Sequence, residues 1–139
     1  MTEFTLRTTV ASSYEDTVEA VRAALADAGF GVLTEIDLAA TLRAKLGVEV
    51  APQVILGACR PQLAHRALEA DPRLAAVLPC NVVVATEADG TRVEVFDPAA
   101  MVGFSDAEEL AEVAAEARER LSGMMESLNE LEEPHATGA

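Results

Sequence analysis

"QVILGACRPQLAHRALEADPRLAAVLPCNVVVAT", residues 53–86, decides how this chain folds. Its two ends, 53–58 and 81–86, are apolar runs of the kind a sheet covers on both faces. Between them Pro61 stands where a first helical residue should, and Leu63, Ala64, Ala67 and Leu68 make an apolar stripe. Asp71 then caps a shorter segment that Pro72 opens and Pro79 stops. One helix would return the chain to the far end of the sheet and make the two strands parallel. Two helical segments allow a second pass. The strands are therefore expected to be antiparallel, with Cys59 and Cys80 at one sheet edge.

Upstream, "FTLRTTV" at 4–10 alternates, with Phe4, Leu6, Thr8 and Val10 on one side, as a strand with one wet face does. Ser12 and Glu15 read as a capping box, and Val18, Val21, Leu25 and Ala28 keep helical spacing until Gly29. "FGVLTEI" at 30–36 is a second strand; Asp37 caps a short helix that Gly47 closes. Downstream, Asp89-Gly90 predicts a hairpin between "NVVVAT" and "TRVEVF", and "DPAAM" is an irregular crossing. Ser105 and Glu108 form a capping box for a helix from about 106 to 132. Along it Leu110, Ala114, Ala117, Leu121, Met124, Leu128 and Leu131 repeat at spacings of four and three. Such a helix runs roughly 40 Å at 1.5 Å per residue, against about 17–20 Å for a typical strand. Its second half is expected to overhang and meet a partner subunit.

The order is β-α-β-α-β-α-α-β-β-α, an α+β fold. It predicts a two-layer α/β sandwich with a five-stranded mixed sheet and helices mainly on one face. Residues 1–133 form the one expected domain and 134–139 a disordered tail. The face without helices still carries side chains from "VILG" and "NVVV", and a second copy is the simplest cover for it, giving a homodimer.

Composition narrows the function. The net charge of −14 repels phosphate backbones and anionic membranes, so no nucleic-acid or membrane partner is expected. Lys45 is the only lysine among ten basic residues. That fits adaptation to a salty cytoplasm or the codon bias of a GC-rich genome. No apolar run approaches a membrane span and no secretory signal opens the chain, so a cytoplasmic location is expected. In a reducing compartment, two cysteines argue against a structural disulfide.

No phosphate-binding loop, dinucleotide turn, zinc-protease helix or serine-hydrolase elbow occurs. The candidate site is the turn from Gly57 to His65, with Cys80. The ligand-binding candidates are Gly57, Cys59, Arg60, His65, Glu69 and Cys80, and the catalytic candidates are Cys59, Cys80 and His65. Cys59 ends a strand just before a helix, where free N–H groups would lower its thiol pKa. The opposing reading is that both cysteines are small packed hydrophobes. His65 falls off the apolar stripe and pairs with Glu69 at i,i+4, as a surface histidine would. Cys-x5-His lacks the paired short spacings of structural zinc, and no metal is assigned.

Three stretches carry a resemblance: "GFGVLTEID" at 29–37, "LGACRPQLAHRALEADP" at 56–72 and "LPCNVVV" at 78–84. In order and spacing they resemble the family called domain of unknown function 302, small bacterial and archaeal proteins, from about Phe4 to Phe104. The resemblance implies an α+β fold and homodimers; it implies no activity and names no cofactor. The expected function is small-ligand binding or thiol-based redox chemistry at Cys59 and Cys80. The alternative is a non-catalytic homodimeric assembly or regulatory module with structural cysteines.

Overall fold

A computed structural model of the chain describes residues 3–132; the expected tail lies outside them. The elements run β1 (Thr5–Val10), α1 (Tyr14–Asp27), β2 (Gly31–Asp37), α2 (Leu38–Leu46), β3 (Gln53–Cys59) and α3 (Pro61–Ala70). A 3-10 segment, Pro72–Val77, leads to β4 (Cys80–Glu87) and β5 (Gly90–Phe96). A second 3-10 segment, Pro98–Phe104, precedes α4 (Glu109–Glu132).

Local chemistry sets most boundaries. Asp37 caps α2 by accepting the Ala40 N–H, and Gly47 ends it at φ +70°. The cap of α1 is Ser13, one residue past the expected Ser12; its hydroxyl accepts the Asp16 N–H. Ser12 instead gives its carbonyl to the Thr91 hydroxyl at 2.8 Å. Ser105 makes no capping box. Its hydroxyl donates to Asp71 at 2.7 Å and accepts the Ala107 N–H at 3.2 Å, and α4 begins only at Glu109.

The five strands lie in the order β1-β5-β4-β3-β2, and every neighbouring pair is antiparallel. The expected mixed sheet is thus corrected. β1 and β2 do point the same way, but they occupy opposite edges, and α1 crosses the three strands between them. Residues 53–86 behave as the two-pass reading requires, with Ala58 opposite Cys80.

One sheet face holds the main core. The row Leu6, Val95, Val82 and Leu56 and the row Thr8, Val93, Val84 and Val54 cross four strands each. Val21 and Leu25 of α1 close on them, as do Leu121, Met124, Met125 and Leu128 of α4. A second cluster joins Leu63 and Ala67 of α3 to Leu74, Met101, Leu110, Val113 and Ala117. The long helix therefore spans two clusters that lie side by side. Its expected overhang is absent: Leu121 is fully buried, Met124 2% exposed and Leu128 3%. The helix also runs unbroken through Ser122-Gly123. Leu131 falls where side chains are not described.

The other sheet face has a different makeup. Arg7, Glu94, Val83, Ile55 and Ile36 form one row across all five strands. Glu94 accepts the Thr5 hydroxyl at 2.6 Å and pairs with Arg92 and Arg7, so its charge is balanced in place.

Asp71 ties the second cluster together. It accepts the Arg73 side chain at 2.7 and 3.0 Å, the Arg73 N–H at 3.0 Å and the Ser105 hydroxyl. These bonds, Arg73 first, hold its pKa far below the usual carboxylate range. A lowered folded pKa stabilises above the unfolded value near 3.9 and is lost as pH falls through the folded one. Asp71→Asn should therefore lower Tm at pH 7, and the gap from the parent should close only in strong acid. A gap that closes by pH 5 would show that Asp71 is not the group responsible.

Candidate functional site

The end of β3 is where the two clusters meet. Here a cavity of about 40 Å³ is walled by Phe30, Ala58, Cys59, Arg60, Cys80 and Met101, with Leu63 and Ala67 of α3 and Ala114 and Ala117 of α4. Small side chains on both helices leave the space. Its walls are almost wholly apolar. Because Ala58 pairs with Cys80, Cys59 sits one residue past that pair. Both cysteines are free and half-buried.

Electrostatics here reverse the sequence expectation. Burial raises the Cys59 thiol pKa above its ordinary value. Cys80, packed against the main core, is pushed up to about 11, by burial first and by the neighbouring Cys59 second. At neutral pH both groups are protonated thiols.

Arg60 is the N-cap residue of α3 but makes no side-chain cap. It reaches across to the end of α1, where its Nη1 donates to the Gly29 carbonyl at 3.4 Å. Arg120 of α4 joins it by donating to the Ala28 carbonyl at 3.0 Å. Two guanidinium groups thus meet the negative end of α1. Gly29 is favoured here by its φ of +92°, a conformation that residues with a Cβ rarely adopt. Arg60 Nε is 3.8 Å from Glu116 and is a buried nitrogen with no hydrogen-bond partner.

The remaining candidates divide. Gly57 does not line the cavity; it is a point of close approach between Thr34 and Pro79. His65 and Glu69 pair at 3.7 Å with both side chains about 70% exposed, outside the lining. They belong to the polar flank of α3. Met101, which does line the cavity, escaped the sequence reading because "DPAAM" has no periodicity to place it. Among the described residues no three His, Cys, Asp or Glu side chains are grouped to hold a metal ion. No helix among them is long and apolar enough to cross a membrane.

An antiparallel five-stranded sheet with α1 and α4 packed on one face, and a cavity bordered by both cysteines at one end, gives the molecule its α+β class. Residues 6–128 match the family described as "Domain of unknown function DUF302", and the chain belongs to that family. The match takes in α4, beyond the stretches that carried the resemblance. A solved structure titled "Crystal structure of uncharacterized conserved protein DUF302 from Bacillus stearothermophilus" is 31% identical. It superposes with a TM-score of 0.82 over 90% of this chain and 98% of that one. No curated protein matches the chain.

Proposed function

We propose that Cys59 and Cys80 act as a thiol pair. What supports this is that both cysteines, 59 and 80, border one cavity; because Cys59 follows Ala58, the partner of Cys80, a bond between the two sulfurs requires the end of β3 to turn. Apart from the two cysteines, the lining offers only Arg60 to orient a polar ligand. The thiols are therefore favoured over the small-ligand reading. In the reducing cytoplasm to which we assign the protein, the resting form is the dithiol. Oxidation by a disulfide-containing partner would join the two sulfurs, pass two electrons to the partner and release it as two thiols. Alkylation followed by peptide mass spectrometry tests the pair. Cys59 should react first, Cys80 should become reactive only as pH approaches 11, and diamide should yield an intramolecular 59–80 disulfide. Oxidation that gives only intermolecular disulfides would end this reading.

A second reading has its own observation. Phe4, Phe96 and Phe104 gather at one end of the face without helices, Phe96 stacked on Phe104 at 6.4 Å between centroids. The row from Val83 through Ile55 to Ile36 extends the apolar surface toward β2. On this face Arg7 and Arg92 balance Glu94 and Glu87, whereas the whole chain carries −14. A molecule that repels its own copies can best approach one where its charge cancels. We assign this face to a homodimer contact. Val83→Glu places an unpaired carboxylate there and should shift sedimentation from dimer to monomer while the far-UV spectrum holds. An unchanged dimer would move the contact elsewhere.

A further inference from the structure

We infer that the cavity at the end of β3 binds a small neutral molecule that accepts hydrogen bonds and donates none, a short ketone or ester, with Arg60 Nε as the donor to its carbonyl oxygen. The inference goes beyond the thiol-pair reading and does not depend on it. A single donor counts against polar ligands, and it suits one with a single acceptor.

The space is the first argument. It lies where two helices bring alanines to one wall, Ala64 and Ala67 on α3 and Ala114 and Ala117 on α4. Protein interiors are otherwise close-packed, and a gap costs its lining the contacts it lacks. One water occupies about 10–15 Å³ on this scale, so about 40 Å³ holds some three waters, the size of a short carbonyl compound.

The donor is the second. Arg60 lines the cavity, and its Nε is buried without a hydrogen-bond partner. Glu116 Oε2 stands 3.8 Å away, beyond hydrogen-bond reach, and already accepts from Arg120 at 3.1 Å. Nη1 of the same guanidinium is tied to the Gly29 carbonyl, so the group is held while Nε–H is left over. Buried donors are nearly always paired, and this one lacks only an acceptor.

Charge and polarity then select the ligand. Arg60, Arg66 and Arg120 face Glu109, Glu112 and Glu116, three charges against three, in contacts of 3.0 to 3.8 Å. No charge is left over, so an anion or a cation would be buried without a counter-ion. The lining holds no carboxylate, imidazole or hydroxyl side chain, so a hydroxyl or amine on the ligand would lose its own acceptor. Water is poorly suited for the same reason: it needs two to four polar partners and meets one strong donor here. A carbonyl oxygen on a short carbon body satisfies Nε and leaves only carbon against the apolar walls.

The experiment titrates 2-butanone into the reduced, nitrogen-15-labelled full-length protein and follows the Arg60 Nε–H resonance, assigned by its absence in Arg60→Lys. The comparison probe is 2-methyl-1-butene, which has the same shape with a methylene in place of the oxygen. One 2-butanone per chain and a saturable shift of that resonance are expected. Affinity should exceed that for the alkene by about tenfold or more, the scale of one hydrogen bond from a charged donor. Arg60→Lys keeps the charge without the Nε–H and should erase the preference between the probes. Ala64→Leu and Ala114→Val fill the space from opposite helices, and each should abolish binding, with thermal melts identifying the variants that fold. A shift that never saturates would leave the cavity to water and overturn the inference. Equal affinity for the two probes in the parent protein would overturn it too, as would binding that survives both filling variants. The 59–80 disulfide assay reads the thiol pair separately, so either reading can fail alone.

Discussion

Cutting the chain after Leu121 is expected to unfold the protein. The segment removed carries Met124, Met125 and Leu128, all buried in the main core, and Asn129, which bonds the Thr8 hydroxyl at 2.7 Å. Each such apolar side chain contributes about 1.5–3 kcal/mol by burial, so three contribute roughly 5–9 kcal/mol. Domains of this size have about 5–15 kcal/mol in total. The truncated chain should therefore lose its cooperative urea transition, or keep it only with a much lower midpoint. Were the second half of α4 a contact for another subunit, truncation would weaken self-association and leave the transition in place. Equilibrium urea unfolding followed by circular dichroism distinguishes the two outcomes in one titration.

Gly57→Ala should overpack the sheet where β2, β3 and the start of β4 meet. A Cβ at this point of β3 would run into Thr34 Oγ1 on β2 and lie 3.0 Å from Pro79 Cγ. Overpacking of this kind costs about 1–3 kcal/mol. Relief can come from one side only, by shortening Thr34. The double variant Gly57→Ala with Thr34→Ala should recover a good part of the lost stability, whereas Thr34→Ala alone recovers nothing because it removes no clash. Additive losses in the double variant would mean that Gly57 is kept for another reason. Since Gly57 is two residues from Cys59, the single variant should also alter alkylation of that thiol, a readout independent of stability.

How much of this could be read beforehand follows from how local each signal is. Asp37, Gly47, Pro61 and Asp71 act on bonds within a few residues, and each stands where the sequence put it. Ser105 has the right spacing from Glu108, yet its hydroxyl is claimed by Asp71, a partner far away in sequence. Strand pattern reveals which side chains are buried but not which way a neighbour runs, hence the mistaken mixed sheet. The seam on α4 likewise marks an apolar stripe without naming what it meets. A partner subunit and a second internal cluster write the same pattern, and here Leu110, Val113 and Ala117 meet one cluster and Leu121 to Leu128 the other. At the site, the nearness of Cys59 and Cys80 followed from counting helical passes. The rise in their pKa did not, because it depends on walls built from α3, α4 and the residues around Met101. The meeting of Arg60 and Arg120 at the end of α1 leaves no mark in the sequence at all.

The position of β1 has a consequence for how the protein is made. This strand leaves the ribosome before the other four, yet its sheet neighbour is β5, with Thr5 opposite Phe96. At ribosomal speeds of about 5–20 residues per second, some 90 residues take on the order of 5–20 s to follow it. Through that interval β2, β3 and β4 can pair among themselves, but "FTLRTTV" has no partner and its apolar side has no core. A ribosome stalled between β4 and β5 would hold a chain with one orphaned strand, open to pairing with a neighbouring nascent copy. Slow codons should therefore be tolerated least in the stretch encoding residues 87–97, where the missing neighbour is about to appear.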